Sequence, residues 1–260
     1  MNRIDQKFKA LKSQKRSALI AYITAGFPNL KVTEELVPAL EKAGVDIVEL
    51  GIPFSDPMAD GTTIQLASQK ALEAGTTLAG IFDTVKRIRQ KTNMPIAFMT
   101  YYNPIFHYGD EKFIKKCVEL GVDGLIIPDL PPEEAAGLRK AAAKADISMI
   151  FFIAPTTTDE RIRANAKAST GFIYYVALTG VTGTQQALSA SVVKGIKHAK
   201  RFTDKPVCAG FGISTSQQVE DISKVADGVI IGSAIIKEIQ KHINSPRLVE
   251  NVARFVSSLK

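Results

Sequence analysis

The sequence predicts an α/β chain folded as a (β/α)8 TIM barrel. Three observations carry this. Short apolar runs alternate with amphipathic stretches along the chain, eight such units can be counted, and 260 residues is the size that eight units require. The apolar runs are nearly continuous, as strands of a parallel sheet must be when both faces are covered. A doubly wound open sheet competes with this reading, but no GxGxxG follows the first strand, so its usual nucleotide site is missing. No low-complexity linker or composition break divides the chain, which predicts a single domain over 1–260 with an extra N-terminal helix.

The elements follow in order. The opening MNRIDQKFKALK is amphipathic and supplies the extra helix. The first strand, Ala18–Thr24, is followed by a helix over Lys31–Ala43, whose apolar residues recur at spacings of three and four. The second strand, Ile47–Gly51, leads into a turn-rich segment broken by Pro53, Pro57 and Gly61, and a helix follows that segment. Four further strands are Ile96–Tyr101, Gly124–Ile127, Met149–Ala154 and Phe172–Leu178. The helical pattern Leu78–Lys91 precedes them, Glu111–Leu120, Pro132–Lys144 and Asp159–Ala166 separate them, and Ala190–Lys200 comes after. Val207–Gly210, a helix over Ser216–Lys224, Gly228–Ile231 and a short helix opening at Ser233 complete the eight units.

Composition narrows the class. The formal charge is +7, yet Lys and Arg are spread over helical patterns and form no stripe interleaved with aromatics, which excludes a nucleic-acid surface. The longest apolar stretches are far too short to cross a bilayer, and the first residues lack an apolar signal core, so a soluble cytoplasmic protein is expected. Cys117 and Cys208 lie far apart in apolar surroundings, as reduced core thiols do. His107, His198 and His242 show neither HxH nor HExxH spacing, and no metal site is expected.

In a barrel of this kind the chemistry gathers at the C-terminal ends of the strands. ELGIPFSDPMADG places Glu49 at the end of a buried strand, where desolvation raises a carboxyl pKa, and Asp60 on the loop that follows, able to fold over a substrate. Of the adjacent pair Tyr174 and Tyr175, one is expected to face the helices. Glycine-rich turns follow the last three strands: Gly180 to Gly183, Gly210 to Ser214, and Gly232 to Ala234. Together with the helix N-terminus at Ser233 they suit a phosphate. The proposed strands contain no Lys, so imine chemistry is not expected. What remains is carboxylate acid–base catalysis on a phosphorylated substrate, in a pocket lined by Tyr22, Tyr101, Tyr174, Phe211 and aliphatic residues.

These residues resemble one family. ELGIPFSDPMADG, YNPIF at Tyr102 to Phe106, PDLP at Pro128 to Pro131, TGVTG at Thr179 to Gly183, GFGIS and GSAI are similar to the tryptophan synthase alpha subunit, and the resemblance runs essentially end to end. It implies a carbon–carbon lyase that splits indole-3-glycerol phosphate into indole and glyceraldehyde 3-phosphate with no cofactor in this chain. By the resemblance Glu49 and Asp60 are catalytic, and Tyr22, Ile64, Tyr101, Tyr174, Thr182 and Phe211 contact the substrate. Gly183, Gly212, Gly232 and Ser233 hold its phosphate. A partner is also implied: a beta subunit carrying pyridoxal phosphate, in an alpha-beta-beta-alpha heterotetramer that passes indole through a tunnel. Asp56, Pro57, Met58, Asn103, Pro104 and Phe106 match the contact surface, and the Asp56 and Thr182 loops couple closure to the partner's state. The chain departs from the family at Thr62, where Pro is usual; Thr can still cap the helix there. Without the resemblance, Pro104-Ile105-Phe106 reads as a hydrophobic loop. Three alternatives stay open: a stand-alone lyase on the same substrate, a noncatalytic subunit that binds it only to activate a partner, and, more remotely, a sugar-phosphate isomerase.

Overall fold

The computed structural model describes residues 1–176, 190–210 and 212–260. Its strand segments are β1 (Ala18–Thr24), β2 (Ile47–Gly51), β3 (Ile96–Met99), β4 (Gly124–Ile126), β5 (Ser148–Ile150), β6 (Phe152–Ile153), β7 (Ile173–Val176), β8 (Val207–Gly210) and β9 (Gly228–Ile231). All pair in parallel, in the order β5-β4-β3-β2-β1-β9-β8-β7-β6. The two ends of that order, β5 and β6, are one stretch of chain interrupted only at Phe151. The sheet therefore closes on itself, and the expected strand over Met149–Ala154 is a single stave with a break.

Helices alternate with the strands: α1 (Arg3–Ser13), α2 (Leu30–Lys42), α3 (Thr62–Glu73), α4 (Leu78–Arg89), α5 (Tyr102–Tyr108), α6 (Asp110–Leu120), α7 (Ala136–Lys144), α8 (Asp159–Ala168), α9 (Ala190–Ala199), α10 (Ser216–Ser223), α11 (Ser233–Lys241) and α12 (Leu248–Ser257). The boundaries differ from expectation in places with physical causes. β3 stops at Met99 because Tyr101 turns the chain into α5, a helix where the apolar reading gave a loop. α7 starts at Ala136 instead of Pro132. Pro131 and Pro132 bias the preceding residues away from helical geometry, and the carbonyl of Pro131 closes a turn by accepting from Glu134 and Ala135. α12 was not foreseen. The expected end of the sixth stave, at Leu178, lies outside the described residues.

Strand register decides which side chains enter the barrel, since paired residues of a parallel sheet point the same way. Glu49 pairs with Tyr22 and with Ala97, and Tyr174 pairs with Cys208. The barrel interior is filled by Ala18, Ile20, Ile47, Ala97, Ile126, Ile150, Phe172, Cys208 and Ile230. At the N-terminal end of the barrel α1 plugs this core with Ile4, Phe8 and Leu11, each buried side chain contributing about 2 kcal/mol. Asn2 caps α1 and reaches Ser148 Oγ at 2.7 Å, tying the plug to the rim.

The same rim carries a repeated device. Asp46, Asp123 and Asp227 each stand immediately before a strand, and each carboxylate accepts the N–H of a residue on the neighbouring strand: Leu19 at 3.0 Å, Ile96 at 2.9 Å and Val207 at 2.9 Å. Backbone donors at the open end of the sheet are thereby satisfied without water. Asp123 is also held by Arg3 and Arg89, both at 2.8 Å. The N-terminal face is thus built for rigidity, and the opposite face is left to the loops.

Candidate functional site

Glu49 is the third residue of β2 and points into the barrel from a row it shares with Tyr22 and Ala97. It is fully buried, and neither carboxyl oxygen has a hydrogen-bond partner among the described residues. Burial alone pushes its pKa up to about 8, because no charge or donor compensates the ionised form. At neutral pH the group carries its proton.

Two tyrosines frame it, and each requires a glycine. A Cβ on Gly51 would lie 2.3 Å from Tyr22 Oη, and one on Gly210 would lie 2.9 Å from Tyr174 Oη. The small residues at these strand ends therefore leave room for phenol rings beside Glu49. Tyr22 Oη lies 3.3 Å from Thr24 Oγ1. Burial raises the Tyr174 pKa, and the nearby Glu49 carboxylate adds to the rise. Tyr175, its neighbour, points outward into the layer between barrel and helices, as expected of one of the pair.

Asp60 comes from the β2–α3 segment and is half-buried. Tyr101 Oη donates to Asp60 Oδ2 at 3.1 Å and accepts the N–H of Ala59 at 2.9 Å, so one phenol fixes both the carboxylate and its backbone. Phe54 stacks on the Tyr101 ring at 5.3 Å. Burial raises the Asp60 pKa, partly offset by the bond from Tyr101. A cavity of about 10 Å³ lies here, lined by Tyr22, Phe54, Asp60, Thr100, Tyr101 and Pro128 among others. That is room for a water.

Beyond β9, α11 opens at Ser233 after Gly232, with no side chain capping its N-terminus. Its N–H groups are available to an anion. Gly212 adopts φ +70°, with open space where a side chain would project. Among the described residues no group of His, Cys, Asp and Glu is placed to hold a metal ion, and no helix is long and apolar enough to cross a membrane.

A family model described as tryptophan synthase alpha chain matches residues 8–260. The tryptophan synthase alpha chain of Geotalea daltonii is 47% identical over 260 residues, covering 100% of this chain and 98% of that one. The alpha chain of Geobacter sulfurreducens gives 47% with the same coverage. Among solved structures, tryptophan synthase subunit alpha from Legionella pneumophila superposes with a TM-score of 0.92 at 35% identity, over 100% of this chain and 97% of that one. This chain belongs to the tryptophan synthase alpha chain family. It is a lyase that cleaves indole-3-glycerol phosphate to indole and glyceraldehyde 3-phosphate, and nothing in the comparisons favours a stand-alone enzyme.

For a tryptophan synthase alpha chain, the structure gathers Tyr22, Glu49, Asp60, Tyr101 and Tyr174 at the C-terminal ends of β1, β2, β3 and β7. Ile64 is buried on α3 and is not among the residues lining the cavity. Gly212, Gly232 and Ser233 follow β8 and β9, whereas Thr182, Gly183 and Phe211 lie outside the described residues. Met58 and Phe106 are 82% and 69% exposed, Asp56 and Asn103 are exposed, and Pro57 and Pro104 are half-buried. Thr62 does not cap α3: it is the first helical residue, and Gly61 holds the cap position without a side-chain bond. Phe54 and Thr100 were not anticipated. Phe54, the one aromatic in the segment between β2 and α3, was the available signal.

Proposed function

We propose that Glu49 and Asp60 carry the lyase reaction of this chain, acting within one barrel domain over 1–260. Breaking the bond between indole C3 and the glycerol carbon first requires a proton on C3, which places positive charge toward the ring nitrogen. Protonated Glu49 delivers that proton, and Asp60 accepts the ring N–H and stabilises the charge. The carboxylate left on Glu49 then takes the proton of the hydroxyl on the departing carbon as the carbon–carbon bond breaks. An aldehyde and aromatic indole result, and the acid is restored. The observation that carries the reading is the buried, partnerless carboxyl of Glu49, raised to about 8 and therefore loaded before reaction.

In this reading Tyr22, Ile64, Tyr101, Tyr174, Thr182 and Phe211 surround the indole and glycerol groups, and Gly183, Gly212, Gly232 and Ser233 take the phosphate. Asp56, Pro57, Met58, Asn103, Pro104 and Phe106 meet a beta subunit that holds pyridoxal phosphate and receives indole in an alpha-beta-beta-alpha assembly. The exposed apolar side chains of Met58 and Phe106 support that placement. The chain works in the cytoplasm, where its two buried thiols stay reduced.

The test is indole release from indole-3-glycerol phosphate by the purified chain, with and without a beta subunit, alongside Glu49→Gln. Slow release, accelerated by the partner and abolished by the substitution, is the expected result. Undiminished release by Glu49→Gln would remove Glu49 from the mechanism.

A further inference from the structure

At the N-terminal face, remote from the carboxylates of the active site, the gap between α1, α7 and α8 opens into a second cavity of about 290 Å³. Its floor is apolar, with Ile147 and Met149 among the residues beneath it. Its walls carry opposite charges. Asp5 and Asp146 stand on the side of α1, and Arg139 of α7 and Lys167 of α8 stand on the other. Among the described residues Asp5, Arg139 and Lys167 make no ion pair, so the two walls face one another without closing the gap.

The charge on each wall is only partly compensated. On the acidic side, burial and the neighbouring Asp146 raise the Asp5 pKa, partly offset by the α-ammonium of Met1. The α-ammonium of Met1 already sits 3.1 Å from Asp146 Oδ2, so this corner accommodates an alkylammonium. On the basic side, Arg139 leans over the ring of Phe151 at 5.9 Å. Burial and the Arg139 charge also lower the pKa of Lys205, so positive charge there is crowded. A ligand suited to these walls carries an anion at one end, an ammonium near it, and an apolar remainder for the floor.

We propose that this cavity binds a zwitterionic apolar α-amino acid, its carboxylate on Arg139 and Lys167, its ammonium on Asp5 and Asp146, and its side chain over Ile147 and Met149. The volume is at the lower end of small-molecule sites, consistent with a ligand of amino-acid size. The site lies on the face that holds α1 and the strand-closing aspartates, so occupation stiffens the barrel base without touching the reacting atoms.

The test is isothermal titration of the full chain with leucine and phenylalanine, with phenethylamine and N-acetylphenylalanine as probes that lack one charge each. Saturable one-to-one binding of the amino acids, weakened at least about tenfold in both single-charge probes, is expected. Arg139→Gln and Asp5→Asn should each weaken phenylalanine binding by a similar factor while indole release is unchanged. Lys167→Gln, at an exposed position, serves the same purpose if either variant fails to fold. No saturable binding up to about 10 mM, or binding unaffected by the substitutions, overturns the proposal.

Discussion

Glu49 illustrates how one buried carboxyl ties the stability of the fold to pH. Its carboxyl titrates at 4.5 in an unfolded chain and at about 8 in the folded one. Between those values the folded state binds the extra proton, so stability falls as pH rises through the window, by up to about 1.4 kcal/mol per unit, and the loss is complete above pH 8. Glu49→Gln removes the titration. The stability of the variant relative to the parent should therefore climb steadily from pH 4.5 to 8, whatever constant offset the buried amide adds, as urea unfolding across that range would measure. A difference that stays flat with pH would mean that Glu49 does not hold its proton in the folded state. The parent's indole release should also fall above pH 8, where the acid for C3 is lost. The position of Glu49 on a buried strand was legible in the sequence. Its partnerless burial was not, because that depends on Tyr22 and Tyr174 arriving from distant strands and on Gly51 and Gly210 leaving them space.

At the scale of elements, strands read most faithfully where both faces are buried. β1, β2, β8 and β9 begin and end where their apolar runs do. Misreadings occur where local chemistry overrides pattern, at the Pro131–Pro132 turn, at the Phe151 break and at α5. α5 is seven residues long, too short to show helical periodicity, and is started by Asp129 Oδ1 accepting the N–H of Tyr102 at 2.9 Å. The α3 terminus yields a further prediction. Gly61 has φ −73° and ψ 162°, the extended geometry preferred before proline, and Thr62 occupies the first helical position, where a missing N–H costs nothing. Thr62→Pro should stabilise the chain by about 0.5–1 kcal/mol by restricting the unfolded state, measured as a raised denaturation midpoint. A lowered midpoint would show that the Thr62 side chain or N–H has a role that the helix start does not require.

For the whole molecule, the two ends of the barrel divide the labour: aspartates and α1 lock the N-terminal face, while the opposite face carries the buried carboxyl of Glu49, the Tyr101-held carboxylate of Asp60 and an exposed apolar edge. That edge and the site share their supports. The segment carrying Asp56, Pro57 and Met58 continues directly into Asp60, and Tyr101, which grips Asp60 and Ala59, is also the residue from which α5 starts toward Asn103 and Phe106. A protein docking on Met58 and Phe106 therefore bears on the two elements that set where Asp60 stands and whether the small cavity opens. Phe106→Ser, at a side chain 69% exposed, should leave folding and the rate of the isolated chain nearly unchanged. It should weaken the complex with the beta subunit by about 2–4 kcal/mol, the range for an aromatic anchor, and abolish acceleration at partner concentrations that saturate the parent. Titration calorimetry and indole release on the same preparations separate the two effects. Lost affinity with acceleration restored at high partner concentration assigns Phe106 to docking alone, whereas acceleration that stays absent at saturation places it in the coupling through Tyr101 to Asp60. Affinity equal to the parent's would remove this edge from the interface.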